Sequence, residues 1–122
     1  MRRWIGLWTA AVAALHFVAA FAIYPAAIPA AAAFAFNGSI PPKTIESEAF
    51  WFVAFAPILL LVGLLVDRFE RRRERLGWLV PSVLAVTLVG LIVPMPETGA
   101  WLLVPAAIAL LVREHRLSRR AE

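Results

Sequence analysis

Four apolar stretches run through this chain of 122 residues, and 11 of its 12 lysines and arginines fall on one side when those stretches are threaded up and down. No other feature restricts the fold as much. A helix that crosses a bilayer needs about 20 apolar residues, with a range of roughly 17–25. The stretches occupy residues 4–24, 49–66, 78–95 and 100–112. Hydrophobic residues make up 62% of the sequence, and a soluble core of this size has too little interior to hide them from water. The sequence therefore predicts an all-α membrane protein. It expects one domain over residues 1–122, with four transmembrane helices in an up-down bundle.

The local signals agree with that threading. The first stretch, Trp4 to Tyr24, has His16 as its one strongly polar member, and Pro25 ends it. The apolar core of a cleaved leader is usually about 7–15 residues, shorter than this run. Before the second stretch, Pro41 and Pro42 break the chain, Thr44 is placed to cap a helix, and Glu46 and Glu48 sit in the first turn, where the helix dipole favours anions. Asp67 ends that stretch. The third stretch has Pro81 in its first turn, where a missing N–H costs little, and Pro94 and Pro96 close it. The fourth is short for a span, at about 20 Å of helix. It is expected to run on towards Leu117, with Arg113 and Arg116 snorkelling. Pro25 to Phe36 is apolar and Ala-rich, and it reads as a short helix in the outer interface, followed by a turn at Asn37-Gly38-Ser39. Glu97 falls in the turn between the last two spans.

Charge sets the orientation, because cytoplasmic loops carry an excess of Lys and Arg. Arg2 and Arg3, the run Asp67–Gly77 (DRFERRRERLG) and the tail from Arg113 all lie on one side, and the other has only Lys43 among the cations. The expectation is a multi-pass protein of the bacterial cytoplasmic (inner) membrane with both termini inside. The basic clusters abut spans, so membrane lipids are the expected partners, along with another membrane protein or a second copy. Nucleic acid is not.

An ionisable residue inside a span is a functional candidate by default, and His16 is one. At 100° per residue, Gly6, Thr9, Ala13, His16 and Ala20 share one arc, and Trp4, Trp8, Leu15 and Val18 lie opposite. The small-and-polar arc is expected to face the bundle. His16, Thr9, Glu48 and Trp51 form the candidate ligand-binding set, with Glu48 and Trp51 at the outer mouth of the second span. Arg71, Arg72 and Arg73 are candidate contacts to lipid headgroups. No catalytic constellation and no metal site is expected. The chain has no cysteine and lacks CxxC, HExxH, GxSxG and a phosphate-binding Gly loop, and no cofactor is expected either.

Several short motifs recur together: Arg3-Trp4 with Gly6 and Trp8, Leu15-His16, Glu48-Ala49-Phe50-Trp51-Phe52, Gly77-Trp78, and Met95-Pro96 with Gly99 and Trp101-Leu102. With the Arg-rich loop, they resemble a family of small uncharacterised four-span bacterial integral membrane proteins, grouped as a domain of unknown function. That resemblance implies a four-helix membrane protein and no known activity. The Pro25–Phe36 segment is more apolar than that family leads one to expect. Three readings of function stay open. The first is a small membrane protein that binds a hydrophobic ligand, a lipid or a partner helix. The second is a membrane enzyme with His16, Glu48 and Trp51 lining its pocket. The third is a transporter subunit.

Overall fold

The computed structural model describes residues 3–94, 96 and 99–119, and Glu97 lies outside the described residues. Among these, the protein is all-helical: α1 (Ile5–Ile23), α2 (Ala27–Phe36), α3 (Ile45–Arg72), α4 (Leu79–Ile92), a 3-10 turn (Gly99–Leu103) and α5 (Val104–Arg119).

Two of the helices, α1 and α3, are long and apolar enough to cross a membrane. α1 has 19 residues, about 28 Å at 1.5 Å per residue. α3 has 28, about 42 Å. α2 and α4 are apolar but shorter, and α4 reaches only about 21 Å over its 14 residues. α1 lies close to the expected first stretch. α4 stops at Ile92, short of Pro94. α5 keeps its helix through the charged tail to Arg119, beyond the expected end near Leu117.

The main departure from the expected boundaries is at the C-terminal end of α3. The helix does not stop at Asp67 but continues through the charged run to Arg72. Its start is as expected: Thr44 has extended backbone, and its Oγ1 accepts from the Ser47 N–H at 3.3 Å. Its end is a Schellman turn, in which the Arg73 N–H donates to the Glu70 carbonyl and the Glu74 N–H to the Phe69 carbonyl. Arg73 itself is left-handed, at φ 55°. That conformation costs an L-residue roughly 1–2 kcal/mol and costs glycine nothing. Arg73→Gly is expected to stabilise the protein by up to about 1 kcal/mol, read as a rise of a few degrees in the thermal midpoint. A fall would mean that the Arg73 side chain supports the turn in another way.

α1 and α3 pack antiparallel along their length, and small residues set how closely they approach. A Cβ built on Gly6 would collide with the backbone of Asp67 and stand 2.6 Å from the Gly63 carbonyl oxygen. One built on Gly63 would stand 2.6 Å from the Ala10 nitrogen. The arc read from the sequence is the arc observed: Gly6, Thr9, Ala13 and Ala20 are buried and His16 is half-buried, whereas Trp4, Trp8, Leu15 and Val18 are exposed. α5 adds Ala106 and Leu110 to Ile5 of α1 and Val66 of α3, which makes the apolar core at that end. α4 packs on α5. At the other end, Ala27 and Ala31 of α2 pack on Ala49 of α3.

Pro57 lies inside α3. Proline has no N–H and its ring crowds the carbonyl four residues back, so the Val53 carbonyl loses its helical partner there.

Candidate functional site

Two regions hold the residues that sequence reasoning singled out, one near each end of the α1/α3 pair. In the first, the His16 ring lies flat on the Phe52 ring, with centroids 3.9 Å apart and planes 12° apart. Tyr24 meets the same Phe52 ring edge-on at 5.6 Å. His16 Nε2 is buried without a hydrogen-bond partner. Neither Glu48 nor Trp51 joins it. Glu48 is exposed and forms no side-chain hydrogen bond or ion pair among the described residues, and Trp51 is 59% exposed, with its ring near Phe50 and Phe55. The reason is helical phase. With α3 turned so that Gly63 and Asp67 meet α1, Phe52 faces α1 and Trp51, 100° away, does not. Thr9 is buried, but its hydroxyl already donates to the Ile5 carbonyl at 2.9 Å, the usual back-bond of a helical threonine. The structure thus brings together His16, Phe52 and Tyr24, and leaves Thr9, Glu48 and Trp51 apart from them.

Apolar grooves flank this aromatic stack. One, of about 470 Å³, runs between α1 (Ala13, Ala14, Phe17) and α3 (Val53, Ala54, Pro57, Leu60). The other, of about 370 Å³, lies between α2 (Ile28, Ala32, Phe36) and α3 (Ala49, Phe50, Val53). Val53 lines both, so the two form one apolar track along α3. Ala13, Ala14, Ala54, Ala56 and Pro57 are among the residues that line the first groove.

The second region is the end where the basic segments gather. Contacts between Arg3 and Asp67, between Arg75 and Ser118, and between Arg113 and the end of α3 bring the arginine-bearing ends of α1, α3 and α5 to one pole of the molecule. The acidic groups there turn inward. Glu70, 8% exposed, accepts from the N–H groups of Trp4 (3.4 Å), Ile5 (3.4 Å) and Gly6 (2.8 Å). Trp4 sits at the N-cap position of α1 and has no side-chain oxygen to satisfy those donors, so α3 supplies one. Glu114, fully buried, accepts from the Leu76 and Gly77 N–H groups at 3.1 Å each. Arg113 is also buried. It donates to Glu114 at 2.7 Å and to the carbonyls of Glu74 (2.6 Å) and Phe69 (3.3 Å), where the last carbonyls of a helix favour a cation. Arg113 therefore does not snorkel: its guanidinium is turned into the protein to cap α3. Asp67, 3% exposed, pairs with Arg71 at 2.6 Å and Arg3 at 3.6 Å.

Of the expected headgroup contacts, Arg71 is engaged by Asp67, Arg72 is loosely paired with Glu74 at 3.8 Å, and Arg73 is the left-handed end of α3. Sequence reasoning missed Asp67, Glu70, Arg113 and Glu114 as partners of backbone and of one another. One signal could have found the first two. If the helix is continued past the last apolar residue, Gly63, Val66, Asp67 and Glu70 fall on one face.

Among the described residues, no three His, Asp or Glu side chains come together as metal ligands. The sequence profile of a family of unknown function (DUF6463) matches residues 1–117. No curated protein and no solved structure matches the chain.

Proposed function

Because the chain belongs to DUF6463, whose function is unknown, we propose a reading built on the geometry alone: a non-enzymatic protein of the cytoplasmic membrane that holds a lipophilic chain in its α1/α3 groove. In this reading α1 and α3 cross the bilayer, and α4 and α5 return as a shorter hairpin. The arginine-rich pole faces the cytoplasm with both termini, as the excess of Lys and Arg in cytoplasmic loops requires.

One observation carries the functional part: the apolar track that the two grooves make by meeting at Val53. From Ala49 to Leu60 it extends about 16 Å along α3. Its walls are alanine, valine, leucine, phenylalanine and proline, which offer dispersion contact and no hydrogen bond. An extended hydrocarbon chain fits such a wall. His16 belongs in this reading to the packing of α1 on α3, stacked against Phe52 behind the groove. The enzyme reading needs His16, Glu48 and Trp51 around one cavity, and their placement gives it no support.

The test is lipid retention. Wild-type protein purified in mild detergent is compared by native mass spectrometry with Ala54→Trp and Ala14→Phe, each of which puts a bulky side chain at a residue lining the groove. Retained lipid is expected to fall several-fold in the filled variants. Equal retention in all three proteins would show that the groove holds nothing.

A further inference from the structure

Asp67 pairs with two guanidinium groups, Arg71 at 2.6 Å on one carboxylate oxygen and Arg3 at 3.6 Å on the other. Arg71 of α3 and Arg3, just before α1, both reach its carboxylate, and each still exposes about half of its side chain. Arg68, the next residue on α3, is exposed and forms no hydrogen bond or ion pair among the described residues. One carboxylate against these three arginines leaves two positive charges uncompensated. Glu70 does not offset them outward, because both its oxygens face the N–H groups that open α1.

This cluster lies below the α1/α3 groove, on the same pair of helices. Leu60 lines the groove, and Leu64 and Arg68 follow it at one-turn intervals on α3. Arg68 is therefore about 12 Å below Leu60, and the groove rises about 10 Å further to Val53. One leaflet of hydrocarbon is about 15 Å deep, half of the bilayer core. A phosphate at the cluster would bring the far end of its acyl chain to the Leu60 end of the groove.

We infer that the ligand of the groove is an anionic phospholipid, its chain between α1 and α3 and its phosphate held by Arg3, Arg68 and Arg71. This rests on the groove reading above and adds the headgroup. Three guanidinium groups recognise a phosphate by charge-assisted hydrogen bonds. The net positive charge selects a headgroup that remains anionic over one that carries its own cation. Asp67 acts as a positioning residue, fixing Arg3 and Arg71 without contacting the lipid.

The test uses full-length protein in a maltoside detergent, titrated separately with palmitoyl-oleoyl phosphatidylglycerol and palmitoyl-oleoyl phosphatidylcholine, whose chains are long enough to reach from the cluster into the groove. Phosphatidylglycerol is expected to bind roughly thirtyfold more tightly, from about 1 kcal/mol for each of the two uncompensated arginines. Arg68→Gln removes an exposed side chain with no partner, so the fold survives it. It should weaken phosphatidylglycerol about fivefold and phosphatidylcholine by less, so that the ratio between them falls. Arg116→Gln, an exposed arginine of α5, should leave the ratio intact. Equal affinity for the two lipids in wild type overturns the headgroup assignment and leaves the groove reading standing, whereas binding of neither overturns both. A ratio that falls as far in Arg116→Gln as in Arg68→Gln overturns the site in favour of diffuse charge. Displacement of the lipid by millimolar inorganic phosphate would mean that a free anion, not a lipid, is the ligand.

Discussion

Replacing Gly6 by leucine is expected to separate α1 from α3 and destabilise the protein by roughly 3 kcal/mol or more. The magnitude follows from what the new side chain meets. Overpacking is tolerable when the obstacle is the tip of a flexible side chain, and here the obstacle is backbone: the Asp67 peptide and the Gly63 carbonyl. Backbone moves only if a whole helix moves. The same shift would lift the Gly6 N–H from Glu70, now 2.8 Å away, so the cap is lost along with the packing. Gly6→Ala should show the same effect in milder form, because the Cβ alone is already too close. The thermal midpoint in detergent should fall by more than about 10 °C for leucine. Gly90→Ala provides the control. That glycine lies in α4 with nothing within 4 Å of a built Cβ, so alanine there should be neutral or stabilise by about 0.5–1 kcal/mol. If Gly6→Leu behaved like Gly90→Ala, the close crossing of α1 and α3 would be wrong.

The second large effect is expected at Glu114. Its carboxylate meets two backbone N–H groups and the buried Arg113. Glu114→Ala leaves an arginine without its counter-charge in a place with almost no water. Removal of one partner of a buried pair typically costs about 3–5 kcal/mol. Removing both partners is a different experiment. In Arg113→Met with Glu114→Gln no charge stays buried, and the double variant should be less destabilised than the sum of the single ones. Residues in direct contact couple by about 0.5–3 kcal/mol, and a double-mutant cycle on denaturation in detergent measures that directly. Additive single variants would show that the two side chains act independently. A cost below about 1 kcal/mol for Glu114→Ala would show that water reaches the site.

Much of this architecture could be read from residue types. The apolar arc of α1, the cap at Thr44 and the helix between Pro25 and Asn37 all follow from local rules, because each depends on residues within a turn or two. The length of α3 could not be read in the same way. Hydropathy ends a span at the first dense run of charge, yet Glu70 accepts from the N–H groups that open α1 and Asp67 pairs with Arg71 and Arg3, so nothing obliges the helix to stop. The inward turn of Arg113 was hidden for the same reason. An arginine after an apolar run reads as snorkelling until the carbonyls of Phe69 and Glu74, about 40 positions away in sequence, are seen beside it. The choice of Phe52 over Trp51 as the neighbour of His16 depends on the phase of α3, which is set by where Gly63 and Asp67 cross α1. No window of sequence around residue 52 contains that information.

The carboxylate that completes the start of the first helix is made more than sixty residues after it. When that helix leaves the ribosome, the N–H groups of Trp4, Ile5 and Gly6 lack the carboxylate that later accepts from them, and Glu70 reaches them only once α3 has been synthesised through its last turn. Synthesis order thus makes the joining of the first and third helices a late event, and a chain cut short before residue 70 leaves the ribosome with that end open.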